Sequence, residues 1–244
     1  MSIEILSEVL KSSDNIVFFG GAGMSTESGI ADFRSESGLY KASNGYEYPP
    51  ETMLSHSFFI SHTNDFYKFY KEKMIFKAAA PNAGHIALAK LEEMGKLKAV
   101  ITQNIDGLHQ LAGSKNVYEL HGSVHRNNCT KCHTFFDLDF IINSKDVPLC
   151  PHCGGIVKPD VILYEEALED EVVNGAVNSI QNADVLIIGG TSLVVYPAAG
   201  LVNYFHGKKL VLINKSATAY DSKADIVMHD SIGKVLSEAV NILL

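Results

Sequence analysis

The chain has 244 residues, 46% hydrophobic and 20% charged, with 28 acidic against 20 basic side chains and a formal net charge of −8. That length can bury a sizeable core in one or two domains, and the composition excludes a disordered or fibrous chain. The acidic balance disfavours nucleic acid and anionic lipid as partners, and no apolar run approaches the ~20 residues of a membrane span.

Along the chain, residues 1–15 carry Glu4 and Glu8 where a secretory leader needs a basic start and an apolar block, so a cytoplasmic location is expected. Ile16–Phe19 reads as a short buried strand and runs into the glycine-rich stretch Gly20–Gly29. Residues 33–80 pass from a Gly/Ser/Glu loop into the aromatic, helical segment Phe66–Tyr70. Asn82–Met94 carries Ile86, Leu88, Leu91 and Met94 at helical spacing, with Pro81 at its start and Gly95 past its end. Ala99–Thr102 and Val117–Leu120 are two further apolar runs, ending in Gln103-Asn104-Ile105-Asp106 and in His121-Gly122. Residues 124–157 hold all four cysteines. A helix is expected over 171–181, then strands at Val185–Ile188, Leu210–Ile213 and Ile226–Met228, and a last helix over 233–243. Runs that are apolar throughout suit strands covered on both faces. Their alternation with helices predicts an α/β fold with a doubly wound, Rossmann-like parallel sheet. The large domain is expected over 1–32, 81–123 and 158–244, and a smaller lobe from the insertions 33–80 and 124–157.

The cysteines form C-x2-C-x17-C-x2-C: Cys129, Cys132, Cys150 and Cys153. Two such turns can close a tetrahedral four-thiolate zinc site with no open position, which makes the metal structural. Cys129–His133 also fits a c-type haem signature and Cys150–Cys153 a redox dithiol. Haem attachment normally follows export, a redox pair should open a helix rather than precede Gly154-Gly155, and each reading leaves the other pair unexplained.

The glycine turn suits a diphosphate at a helix N-terminus. Thr26, however, stands where the third glycine of G-x-G-x-x-G would be, and no acidic strand end follows about 20 residues on. Alone, the turn leaves nucleotide binding undecided. Ligands in such folds bind beyond the carboxyl ends of the strands. His121 is the only histidine directly at such an end, which nominates it as a general base.

Taken together, Gly21–Arg34, Thr102–His109, His121-Gly122, the paired C-x-x-C and Gly190–Pro197 resemble the sirtuins, NAD-dependent protein-lysine deacylases, with motifs in family order over about residues 14–235. The resemblance implies NAD, one structural zinc and acetyl-lysine proteins or peptides as substrate. The implied products are nicotinamide, O-acetyl-ADP-ribose and free lysine. It places Gly21, Ala22, Gly23, Thr26, Phe33 and Arg34 on NAD. Gln103, Asn104, Ile105 and Asp106 fall on the nicotinamide side. Gly190, Thr191 and Ser192 fall on the far rim, and Asn214 and Ile232 on the adenosine. His121 and Asn104 are the implied catalytic residues: His121 takes a proton relayed from a ribose hydroxyl, and Asn104 positions the ribose and a water. Lys158–Tyr164 resembles the strand that pairs with the peptide, so Val161, Ile162, Leu163 and Tyr164, with Ile105, Tyr67 and Tyr70, are the expected substrate contacts. Mono-ADP-ribosyl transfer or NAD hydrolysis is the alternative on the same fold, and a non-catalytic NAD or zinc interaction module is a more distant one. Three positions depart from the family pattern. Ala31 replaces a proline, Glu165 replaces a glycine beside the peptide groove, and Tyr70 replaces the arginine of succinyl-removing members. A neutral Tyr70 predicts a preference for neutral acyl groups, with Ile105, Ile162 and Tyr164 as apolar walls; packing of Tyr67 and Tyr70 in the small-lobe core would leave the same preference.

Overall fold

The computed structural model describes residues 3–33, 38–42 and 46–244. Its strands are β1 (Ile16–Gly20), β2 (Leu97–Thr102), β3 (Val117–Glu119), β4 (Gly122–Cys129), β5 (Phe135–Phe136), β6 (Val157–Val161), β7 (Val185–Gly189), β8 (Lys209–Ile213) and β9 (Ile226–Met228). The helices are α1 (Ile3–Ser12), α2 (Leu39–Ala42), α3 (Pro50–Met53), α4 (His56–Ser61), α5 (Thr63–Lys73), α6 (Ala83–Glu93), α7 (Leu108–Leu111), α8 (Leu138–Asn143), α9 (Asp170–Asn182) and α10 (Ile232–Asn241). Among the described residues no helix is long and apolar enough to cross a membrane.

Six strands form one sheet in the order β3-β2-β1-β7-β8-β9, every pair parallel. Strand order reverses between β1 and β7, the place where doubly wound sheets open a crevice. Both central strands are buried along their whole length because successive side chains serve opposite cores. Ile16, Phe18 and Ile187 pack with Leu6 and Leu10 of α1, Leu88 of α6 and Leu236 of α10. Val17, Phe19 and Ile188 pack with Ala176 and Ile180 of α9. The apolar runs read from the sequence are the price of covering both faces. Helix α1 was not anticipated, although Leu6 and Leu10 one turn apart bury its inner face.

The two insertions share a single core. Phe59, Phe66 and Phe69 pack with Val124, Ile141 and Val157. A three-stranded antiparallel sheet, β5-β4-β6, carries the cysteine segment. The expected boundary at residue 158 is therefore displaced, since β6 belongs to the small lobe. Val157, Pro159 and Val161 face inward while Lys158 and Asp160 alternate outward, a two-residue period that breaks any apolar run. Gly122, at the start of β4, has φ +73, and a Cβ there would lie 1.7 Å from the Asp160 carbonyl oxygen. The chain can turn from the large sheet into the small one directly after His121 only with glycine at this place.

Candidate active site

The loops beyond β1 and β7 meet at the reversal point. Gly23 N donates to the Gly190 carbonyl at 2.8 Å. A Cβ on Gly23 would come within 2.8 Å of Gly190 backbone atoms, and one on Gly190 within 2.4 Å of Met24 N. Two backbones at this separation require glycine on both sides. They form one end of a cleft of about 1240 Å³ along the carboxyl ends of the strands. Gly21, Ala22, Gly23, Thr26 and Phe33 line its glycine-turn wall, and Gly190, Thr191 and Ser192 face them. Asn214 and Ile232 line the cleft beside them, Gly190 N donating to the Ile213 carbonyl at 3.1 Å. Arg34, expected beside Phe33, lies outside the described residues.

The loop after β2 is held by a hydrogen-bond network. Asn104 Nδ2 donates to Ser25 Oγ at 3.0 Å, and Ser25 Oγ donates to Asp106 Oδ2 at 2.6 Å. Asp106 Oδ1 accepts Leu108 N at 2.9 Å, and the Asp106 carbonyl oxygen accepts from His125 Nε2 at 3.0 Å. Gln103 Nε2 donates to Thr191 Oγ1 at 3.1 Å, joining the β2 and β7 loops. Ser25 is 1% exposed and links both key side chains, yet sequence reasoning gave it no role. Its presence in Gly21–Gly29 was visible; the partners that give it a function come from residues 79 and 81 positions away.

His121 follows β3 and lines the same cleft. Its Nδ1 lies 2.9 Å from the Gln103 carbonyl oxygen. A carbonyl only accepts, so Nδ1 carries the proton and Nε2 keeps its lone pair in the neutral ring. Burial pulls the imidazole below its usual range, partly offset by that carbonyl.

On the other side of His121 the cleft is apolar. Ile105, Val161, Ile162 and Leu163 form its wall, with Tyr164 at the mouth. Ile162 N donates to the His121 carbonyl at 3.0 Å, which fixes this wall to the strand end. Tyr67 and Tyr70 are a correction: they do not line the cleft. They are 1% and 0% exposed inside the small-lobe core. Tyr67 Oη donates to the Val157 carbonyl, and Tyr70 stacks on Phe66 at 5.6 Å. The residue pair that suggested acyl contact is the inner face of α5, packed in the small-lobe core. Glu165 adopts φ +76, a left-handed conformation that favours glycine. Its carboxylate offsets that strain by accepting Ser57 N at 2.9 Å and Ser57 Oγ at 2.6 Å at the start of α4. Glu166 beside it bonds His56 and Lys158 at 2.9 and 3.1 Å, tying the groove edge to α4 and β6.

The four cysteines stand apart from this cleft. Cys129 Sγ is 3.4 Å from Cys153 Sγ, and Cys132 Sγ is 3.6 Å from Cys150 Sγ. All four sulfurs lie within 4.8 Å of one another. Tetrahedral zinc with ~2.3 Å bonds to sulfur sets its ligands nearly 4 Å apart, so the cluster fits one zinc. Hydrogen bonds from the side chain and backbone of Thr134 push the Cys132 thiol down to about 6, toward the thiolate a metal binds.

A doubly wound α/β sheet with a crevice at its reversal point, a neutral histidine at a strand end and a four-sulfur lobe defines a nucleotide-using enzyme with a structural metal module. The Sir2 family model matches residues 21–197. The chain belongs to that family, the sirtuins. An NAD-dependent protein deacetylase of Clostridium acetobutylicum is 65% identical over 239 residues, covering 98% of both chains. One of Clostridium tetani is 67% identical over 236 residues, covering 96% of both. A solved Sir2–p53 peptide–NAD+ complex is 38% identical, covers 99% of this chain and 98% of its own, and superposes with a TM-score of 0.86.

Proposed function

We propose that this protein removes acetyl groups from protein lysines at the expense of NAD, releasing nicotinamide, O-acetyl-ADP-ribose and free lysine. The observation that carries this reading is His121. Its free Nε2 opens onto a single cleft that joins the glycine turn on one side to an apolar groove on the other.

When bound, NAD supplies an electrophilic ribose carbon and nicotinamide as the leaving group. Every other part is the chain's own. Backbone N–H groups of Gly21 and Ala22 would hold the diphosphate, Gly23 N being spent on the Gly190 carbonyl. Asp106, already ordered by Ser25 and the Leu108 N–H, keeps carboxylate lone pairs for the carboxamide N–H. Asn104 commits its Nδ2 to Ser25 and leaves its Oδ1 for a ribose hydroxyl or a water. His121 Nε2 accepts the proton of a ribose hydroxyl, and the Gln103 carbonyl holds the ring as the positive charge develops. Ile105, Val161 and Leu163 exclude water around the acyl group. Tyr164 and the chain beside it border the peptide, which makes acetyl-lysine proteins the substrate class.

An apolar wall leaves a carboxylate-tailed acyl group unpaired, at a cost in free energy. Lys73 and Lys77 reach the cleft margin, but each is paired, with Glu72 and Asp139. Acetyl-lysine is therefore preferred over succinyl-lysine. Mass spectrometry of products from NAD and a panel of acyl-lysine peptides tests the reading. O-acetyl-ADP-ribose formed only with acetyl peptide supports it. Nicotinamide release without an acyl peptide would point instead to NAD hydrolysis or ADP-ribosyl transfer.

A further inference from the structure

Three consecutive residues, Tyr164, Glu165 and Glu166, carry the groove wall from β6 onto the first turn of α4. A helix leaves its first N–H groups without partners inside itself. In α4 those of His56, Ser57 and Phe58 are all met. His56 N donates to the Tyr164 carbonyl at 2.9 Å, Ser57 N to Glu165 Oε2 at 2.9 Å, and Phe58 N to Ser55 Oγ at 3.2 Å. Two of these acceptors come from the groove edge. Tyr164 N donates in turn to the Leu54 carbonyl at 3.0 Å, and Ser55 and Tyr164 form a parallel bridge. Leu54, Leu163 and Tyr164 all line the cleft.

Glu165 is the strained member of this join. Its φ of +76 suits glycine and disfavours a residue with a Cβ. The glycine expected at this place would take the conformation freely but would bring no acceptor to Ser57. Glu165 brings a single oxygen that takes both Ser57 donors, Oγ at 2.6 Å and N at 2.9 Å. The Ser57 hydroxyl and N–H hold its carboxyl below the usual carboxylate range, so both bonds are charge-assisted at neutral pH. Glu166 is engaged separately, with His56, Lys158 and Leu163 N.

We infer that Glu165 is a positioning residue for the peptide: its carboxylate latches the groove edge to α4, so that Tyr164 and the wall behind it are in place before an acyl-lysine chain arrives. The inference rests on the deacetylation reading of the cleft and concerns how that substrate is held. Glu165 itself lies outside the cleft that His121 and Asn104 line, so its loss acts on peptide binding rather than on the chemical steps. Without the latch the edge relaxes, and the peptide must re-order it on binding.

Steady-state kinetics with an acetyl-lysine peptide at saturating NAD, beside calorimetry with ADP-ribose, test this. Glu165→Ala should raise the peptide KM about five- to twentyfold and leave kcat and the ADP-ribose dissociation constant within about twofold of wild type. Glu165→Gln keeps an oxygen that can take both Ser57 donors, so its KM should return to within about twofold of wild type. Glu165→Gly relieves the backbone but restores no bond, so its KM should stay at least about threefold above wild type. Ser57→Ala removes the Oγ donor alone and should raise KM by a smaller factor than Glu165→Ala. A helix cap with no part in peptide binding would lower the melting temperature and leave every KM unmoved. The inference is overturned if Glu165→Ala leaves KM unchanged, if Glu165→Gly matches wild type, or if Glu165→Gln is as poor as Glu165→Ala. Should Glu165→Ala fail to fold, Glu165→Gly and Ser57→Ala decide, and an unchanged KM in both overturns it. If wild-type protein binds ADP-ribose but turns over no acetyl-lysine peptide, the deacetylation reading falls and the inference with it.

Discussion

A histidine that has given Nδ1–H to a carbonyl has one basic nitrogen left, and its direction is fixed by the ring plane. For His121 that direction is into the cleft, and burial holds the ring neutral to lower pH than usual. His121→Ala should reduce kcat/KM by ~10²–10⁴, the usual share of general acid–base catalysis. ADP-ribose should still bind, because its other contacts are untouched; calorimetry and steady-state kinetics on one preparation check both parts. The base works only when unprotonated, so the acid limb of kcat/KM against pH should fall below the ordinary histidine value near 6.5. Ser25 is a different kind of residue, acting through others. Ser25→Ala removes the acceptor of Asn104 Nδ2 and the donor to Asp106 Oδ2. Losing a hydrogen bond to a carboxylate costs roughly 1.5–3 kcal/mol, so kcat/KM should drop about ten- to a hundredfold. An unchanged rate would show that the loop after β2 holds its shape without Ser25. His121 was readable from the sequence because it ends an apolar run. Ser25 was not, because a serine gains meaning only from distant partners.

At the scale of elements, what could be read depended on period. Strands β1, β7 and β8 are covered on both sides, so their runs of Ile, Val, Leu and Phe stand out. Strands β4 and β6 alternate or bulge, and β4 includes Arg126, Asn127 and Asn128. Those polar residues hide a strand from any search for apolar runs, and the domain boundary was misplaced for that reason. The same blindness let α5 pass as a substrate wall. Tyr67 and Tyr70 look amphipathic in sequence, but the polar tip of Tyr67 is bonded internally and both rings are enclosed. The cysteine spacing, in contrast, encodes the metal site directly, since ligand geometry constrains it. Purified protein should contain one zinc per chain by elemental analysis. Chelation should lower the melting temperature, because metal affinity in such a module is folding free energy. Cys150→Ala should lose metal and stability together, and a zinc-free preparation with unchanged melting temperature and activity would remove the structural role.

The whole molecule carries a pH dependence that the reaction does not explain. His85 and His109 are buried behind the active-site loop, with ring centroids 4.7 Å apart, and His109 lies 5.9 Å from Phe18 of β1. Burial lowers His85 to about 4 and, with His85 beside it, lowers His109 to about 3. His85 Nδ1 accepts Asn82 N in the capping box of α6, a role that protonation would end. Both rings are therefore neutral in the folded state and bind protons on unfolding at any pH below about 6.5. Their contribution is fully present above that value and is lost as pH falls toward 4 and then 3. Over that range each histidine should steepen the loss by up to ~1.4 kcal/mol per pH unit. His121, also lowered by burial, adds to the same window. Asp225 and Asp230 are held below the ordinary carboxylate range, and their contributions are lost only in stronger acid. Chemical denaturation between pH 7.5 and 5 should therefore show stability that is flat at first and declines below about 6.5. His109→Leu, which removes one of the two buried imidazoles, should reduce the slope of the decline even if it shifts the baseline. An identical slope in wild type and variant would mean that the buried pair is not what makes this fold acid-sensitive.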